Sequence, residues 1–258
     1  MRIIDLSLPH QNYASEPYPP SITHTDHVEG ARRLGKLAKV NPADFKDHIA
    51  LASDQVSGST HSGTHVDAPW HFGPTSEGKP ARTIDEVPLE WCYGPGVVLD
   101  MRHKQPGEEI TVADVQSVLA QINHTLAPGD IVLIQTGVDK YWNTDQYMTM
   151  QPGLGRAATA WIIDQGVRVI GIDAWGVDRS VNAMSQAHHD GDTDALWPAH
   201  FYGREKEYLH IEKLANLDQL PAPTGFTVCA FPVKFEKASA GWTRAVALVP
   251  DDLGGSNG

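Results

Sequence analysis

His61, His65, Asp67 and His71 fall within eleven residues of one another, in the segment Ser59-Thr-His-Ser-Gly-Thr-His-Val-Asp-Ala-Pro-Trp-His-Phe72. Two imidazoles and a carboxylate form a borderline-to-hard ligand set suited to Zn²⁺ or Mn²⁺, and a further imidazole nearby is a base that need not bind metal. A site with so few protein ligands leaves positions for water and substrate, which is the pattern of a catalytic rather than a structural metal. In extended backbone alternate side chains share a face, so the odd-numbered set 61, 65, 67 and 71 is expected on one side of a strand or open loop. A helix would not gather them, because 65 and 67 do not share a helical face and Pro69 disfavours helical backbone at the residue before it. Thirteen histidines in 258 residues make chance pairs common, but Asp67 and His71 joining the same spacing counts against chance.

The same stretch, read as His61-Ser-Gly-Thr-His65-Val-Asp67-Ala-Pro69-Trp-His71, resembles the His-x-Gly-Thr-His-x-Asp-x-Pro-x-His signature of the bacterial cyclase family of metal-dependent hydrolases. Members of that family include kynurenine formamidase and isatin hydrolase, and the likeness to isatin hydrolases is the greater. It extends through Ile3-Ile-Asp-Leu-Ser7, Gly171-Ile-Asp-Ala-Trp-Gly-Val-Asp178, His200 and Glu212-Lys-Leu-Ala-Asn-Leu217. The resemblance implies that His61, His65 and Asp67 bind a Mn²⁺ or Zn²⁺ ion and that His71 acts as general acid or base. In the dinuclear members a second metal uses the shared aspartate with a distant histidine and a glutamate twelve residues later; His200 and Glu212 keep that spacing. Glu205, Glu207 and His210 lack that correspondence, and the choice between one metal and two stays open. The implied fold is α/β, a swivelling β/β/α cyclase-like domain with a mixed sheet, and the implied assembly is a homodimer or higher homo-oligomer.

The expected chemistry is hydrolysis of a small aromatic amide, with a divalent ion lowering the pKa of bound water from about 15.7 toward about 7 and polarising the carbonyl. Opening of a cyclic aryl amide, of the isatin-to-isatinate type, is favoured by the chain length and by the regions around Pro152, Asp173 and His200. Hydrolysis of N-formylkynurenine is the alternative, and a non-catalytic metal- or ligand-binding module is a third reading. No Gly-x-Ser-x-Gly sequence supplies a serine-hydrolase route.

These residues need a framework. Arg2–Leu8, Gly96–Asp100, Asp130–Thr136, Val167–Ile172, Phe226–Phe231 and Thr243–Val249 read as strands, short and apolar or bounded by turn residues. Thr111 and Asp114 form a capping pattern for a helix bearing Val115, Val118, Leu119 and Ile122 on one face, and a second helix is expected from Arg156 to Gln165, stopped by Gly166. Glu207–Leu217 is expected to contain a helix with Ile211, Leu214 and Leu217 buried and Glu212 beside them. Asp173 and Trp175, at the end of a strand, are candidates to line the substrate pocket, whereas Trp70 reads as packing and Ala187–Asp194 as a solvated loop. The Pro-rich segment 13–20 suits an arm or a pocket rim.

Composition narrows the function classes. A net charge of -12 without a basic run argues against nucleic acid. Asp5 interrupts the apolar start, and no 18-residue apolar stretch follows, so no membrane segment and a soluble cytoplasmic protein are expected. Cys92 and Cys229 read as small core residues. One hydrolase domain over residues 1–250 is expected, with 251–258 as a disordered tail.

Overall fold

The apolar runs Ile131–Gln135 and Val169–Ile172 form strands at the centre of the fold and are buried along their whole length. The structure, a computed structural model, describes residues 1–12 and 15–253. Its centre is a nine-stranded mixed sheet built, in chain order, from β1 (Arg2–Asp5), β2 (His65–Asp67), β3 (Tyr93–Asp100), β4 (Ile131–Gln135), β5 (Val169–Ile172), β6 (Leu209–Glu212), β7 (Phe226–Cys229), β8 (Ala240–Trp242) and β9 (Val246–Val249). The strand order is β1-β9-β7-β3-β4-β5-β6-β2-β8, with β3, β4, β5 and β6 parallel to their neighbours in that run and the outer pairs antiparallel. This is the expected α/β class with a mixed sheet.

Period-two alternation splits the apolar runs between two cores. Val132, Ile134, Ile170 and Ile172 face one, together with Val115, Leu119, Ile162 and Ile163 from the covering helices. Ile131, Leu133, Val169, Leu209 and Ile211 face the other, against Val66, Phe226, Val228 and Ala247. The helices α1 (His27–Ala38), α2 (Pro69–Phe72), α3 (Val112–Gln121), α4 (Arg156–Asp164), α5 (Val181–His189) and α6 (Pro198–Tyr202) carry local start and stop signals. Thr111 Oγ1 accepts from Asp114 N at 3.3 Å while Asp114 Oδ2 accepts from Thr111 N at 2.8 Å, the reciprocal cap expected for α3. After α4, Gly166 takes φ +93°, a left-handed stop. Helix α1 was not foreseen, although Asp26 caps it by accepting from Glu29 N at 2.8 Å. Cys92 is buried and Cys229 half-buried.

Two expectations are corrected. Glu207–Leu217 contains no α-helix: Leu209–Glu212 is strand β6, all four residues buried, because β5 and β2 pair with both its edges and Leu209 and Ile211 pack into the second core. The spacing of Ile211, Leu214 and Leu217 mimics a helical stripe, but only Leu209 and Ile211 matter in the strand, and they alternate with His210 and Glu212. Likewise the segment 61–71 is not one extended face. Only His65–Asp67 is strand; Ala68 stays extended, and Pro69 occupies the first position of the short helix α2, where its fixed φ and missing N–H are tolerated. At the far end, Asp251–Leu253 form a turn with Leu253 packed on the second core, and the remainder of the expected tail lies outside the described residues, as does Tyr13.

Because Ile211 is fully enclosed beside the site strand, Ile211→Ala is expected to destabilise the fold by about 2–5 kcal/mol, seen as a lower urea midpoint with unchanged slope.

Candidate metal centre

Strands β2 and β6 run antiparallel with Asp67 opposite His210 and His65 opposite Glu212. Side chains directly opposite in such a ladder share a face, with Cβ atoms about 4.5–5.5 Å apart. Two imidazoles and two carboxylates therefore meet on one side of the sheet, and all four are buried. His61 arrives from the turn before β2, where Ser62 N donates to Ser59 O at 3.1 Å and Gly63 takes φ +57° with His10 within 2.8 Å of where a Cβ would stand. Its Nδ1 lies 2.8 Å from Asp67 Oδ1. The α2 turn swings His71 back, so that its ring centroid is 4.1 Å from His61 and 5.4 Å from His200. His200 comes from α6, whose start is held by Asp178: the carboxylate accepts from Ala199 N at 2.7 Å and from His200 Nδ1.

Hydrogen bonds on the outer side of each ring decide where its other nitrogen points. His65 Nδ1 donates to Gly63 O at 2.8 Å, so the Nε2 lone pair faces Asp67 Oδ1 at 3.2 Å and Glu212 Oε2 at 3.7 Å. Tyr208 spends its hydroxyl proton on Ala199 O at 2.6 Å and so accepts from His210 Nε2 at 2.6 Å. His210 Nδ1 is thereby left bare, 3.8 Å from Asp67 Oδ2 and 3.6 Å from Glu212 Oε1. With Nδ1 committed to Asp178, His200 turns Nε2 toward Glu212 Oε1 at 3.5 Å and Asp67 Oδ2 at 3.9 Å. Lone pairs aimed at carboxylate oxygens in a dry interior repel unless a cation stands between them. His65 Nε2, Asp67 Oδ2 and His210 Nδ1 are buried without any hydrogen-bond partner, and Asp67 Oδ1 has only the close approach of His61 Nδ1.

This donor set fits a divalent ion. Ligand atoms of Asp67, His200, His210 and Glu212 lie within 4.8 Å of one another, and so do those of His61, Asp67 and His71, with Asp67 common to both groups. Tetrahedral bonds of about 2.1 Å would separate ligand atoms by about 3.4 Å, close to the observed spacing. The carboxylates pull for positive charge in any case. Against the downward push of burial, Asp178, Glu212 and Asp67 raise His200 to about 9; against the upward push of burial, His71, His61 and His65 hold Asp67 well below the usual range. His71 behaves differently: burial, with His200 and His61 beside it, lowers it to about 4 despite Asp67. Its ring is open to solvent at the cavity, and the imidazole is neutral at pH 7.

A cavity of about 380 Å³ adjoins this group, and His61, His65, His71, His200 and Glu212 line it together with Trp175, Met184 and Trp197. Asp173 does not reach it. Its carboxylate faces away, accepting from Thr136 N at 2.7 Å, Thr136 Oγ1 at 2.5 Å and Gly137 N at 2.7 Å, and burial pushes its pKa up to about 7 against those bonds. Asp173 thus pins the loop after β4. Trp70, expected to pack, is 45% exposed, and the polar cluster Ala187–Asp194 is the exposed end of α5 and the turn after it. His210 was passed over for want of a matching spacing; its alternation with Leu209 and Ile211 was the available signal.

The Pro-rich segment forms part of the rim through Pro17 and Tyr18. It is tied down by Glu16, whose carboxylate pairs with Lys213 and accepts from Gly63 N at 3.2 Å, while Lys213 Nζ also donates to His61 O at 2.7 Å. Glu16 and Lys213 are both almost wholly buried. Lys213→Met is expected to cost about 3–5 kcal/mol by stranding the Glu16 charge, and Glu16→Gln in the same chain is expected to recover part of that loss in denaturant titrations.

Comparison with known proteins gives three concordant results. The Cyclase family matches residues 4–179. Isatin hydrolase of Roseibium aggregatum is 27% identical over 199 residues, 74% of this chain and 72% of the relative, and kynurenine formamidase of Geobacillus thermodenitrificans is 30% identical over 193 residues, 74% and 77%. Among solved structures, isatin hydrolase A from Ralstonia solanacearum superposes with a TM-score of 0.74 at 23% identity, covering 96% of this chain and 92% of that one.

Proposed function

The chain belongs to the Cyclase family, and on that premise we propose that it is a metal-dependent hydrolase cleaving the C–N bond of a small aromatic amide, either a cyclic amide of the isatin type or an open aryl formamide such as N-formylkynurenine. What carries this reading is the convergence of bare imidazole nitrogens on Asp67 and Glu212 at the floor of an aromatic-walled cavity. The open-chain substrate has its own support in the 30% identity to a kynurenine formamidase. Residues 1–250 are read as one catalytic domain, acting in the cytoplasm as a homodimer or higher homo-oligomer. No helix of the described residues is long and apolar enough to cross a membrane.

His61, His65 and Asp67 would hold one Mn²⁺ or Zn²⁺ ion, and Asp67, His200, His210 and Glu212 would hold a second. A divalent ion there supplies Lewis-acid polarisation of the amide carbonyl and acidifies water. The chain's own residues do the rest. Asp178, Tyr208 and the Gly63 carbonyl keep the ligand rings turned with lone pairs inward, so little reorganisation is needed. His71, neutral at pH 7 and open to the cavity, accepts a proton from the attacking water and returns it to the leaving nitrogen. Trp175 and Trp197 offer flat surfaces for an aryl ring.

His65→Ala and Asp67→Ala are expected to lose metal and activity together, whereas His71→Ala keeps its metal and loses turnover by about 10²- to 10⁴-fold. Elemental analysis beside assays of isatin and N-formylkynurenine on Mn²⁺- and Zn²⁺-loaded protein checks both; full activity of a metal-free sample would refute the reading. His210→Val is expected to lower metal content from about two ions per chain toward one.

A further inference from the structure

Three carboxylates line the cavity, and each is already committed. Glu16 pairs with Lys213 and accepts from Gly63 N. Asp178 accepts from Ala199 N and from the backbone and ring of His200. Glu212 accepts from Val177 N at 3.3 Å and faces the histidines of the metal centre. Arg179 lines the same cavity, and among the described residues it has no ion-pair partner and its buried Nε has no hydrogen-bond acceptor. The cavity therefore has one guanidinium, a permanent planar cation, without an anion of its own among the described residues, beside the apolar surfaces of Trp175, Met184 and Trp197. Arg179 is half-buried, with its Nε enclosed and without an acceptor, and an anionic ligand in the cavity would supply one.

The backbone beneath it is fixed. Gln151 Nε2 donates to Gly176 O at 3.1 Å and to Asp178 O at 2.7 Å, bracing the strand of chain that leads into Arg179. On the other side Gly153 packs so closely that a Cβ there would lie 2.0 Å from Asp178 C and 2.1 Å from Arg179 N. Arg179 also directly follows Asp178, the residue that holds the His200 ring, so its origin is tied to the metal centre through one peptide unit. A cation rooted in backbone that is braced beside the metal centre is a device for choosing substrates.

We propose that Arg179 receives a carboxylate that the substrate carries apart from its scissile amide, making this an enzyme for aromatic amides that are already acids, whether the amide lies in a ring or is open. The proposal rests on the hydrolase reading for the pole at which the amide sits, and Arg179 is its specificity residue. Titration calorimetry of the metal-loaded protein with indole-3-propanoate and with its primary amide isolates the carboxylate. The acid is expected to bind at least about tenfold more tightly than the amide. Arg179→Met should reduce that preference to within about twofold while leaving amide affinity in place, and Arg179→Lys should retain part of it. The idea is overturned if neither compound binds, if the acid binds no more tightly than the amide, if the preference survives Arg179→Met because the carboxylate sits on the ions, or if Arg179→Met weakens both ligands alike. Turnover of N-formylkynurenine and of isatin-5-carboxylate, an open and a cyclic aryl amide that each carry a carboxylate, is measured beside this: absence of both with the acid preference intact would sink the hydrolase reading and leave the carboxylate site standing.

Discussion

The pairing of two short strands is the constraint from which the site follows. Antiparallel register between His65–Asp67 and Leu209–Glu212 places four charged or titratable side chains on one buried face, where a slip of either strand by one residue would send its two to the opposite side and split the set. Burying two carboxylates with bare imidazole nitrogens is unfavourable by itself. The surrounding sheet and its cores must supply that energy, and an ion or protons must supply the missing charge.

The outer hydrogen bonds convert this juxtaposition into a directed site. The Gly63 carbonyl, Tyr208 and Asp178 each occupy one ring nitrogen and leave the other facing Asp67 or Glu212. Phe72 packs 4.6 Å from the His210 ring and 5.5 Å from Tyr208, closing the dry side. His61 and His71 lie on the opposite, wetter side, bordering the cavity. The centre is thus asymmetric: Asp67 and His210 are sealed, while His61 and His71 open most toward the cavity that His65, His200 and Glu212 also line.

The buried Glu16–Lys213 pair extends the same economy of charge to the rim. It joins the N-terminal segment to the backbone of His61 and to the residue after Glu212, so the cavity wall and the ligand set are held in common. A change in one is transmitted to the other through the packed interior rather than through solvent.

Local patterns decided much of this in the sequence itself. The types and spacing of His61, His65, Asp67 and His71 marked a metal site, apolar runs bounded by Gly and Asp marked the central strands, and Thr111 with Asp114 marked a helix start, because each signal is complete within a few residues. The strand at Leu209–Glu212 was not legible, since its apolar spacing fits a helix as well and only the edges of β5 and β2 choose between them. For the same reason the sequence sets His210 aside: it becomes a partner of Asp67 through cross-strand register. Asp173 looked equally suited to pocket or scaffold, and the Thr136–Gly137 turn, far away in the chain, claimed it for the scaffold. Residue chemistry is a local property written in the sequence, whereas which lone pairs meet, and across which strand, depends on contacts that exist only once distant segments have paired.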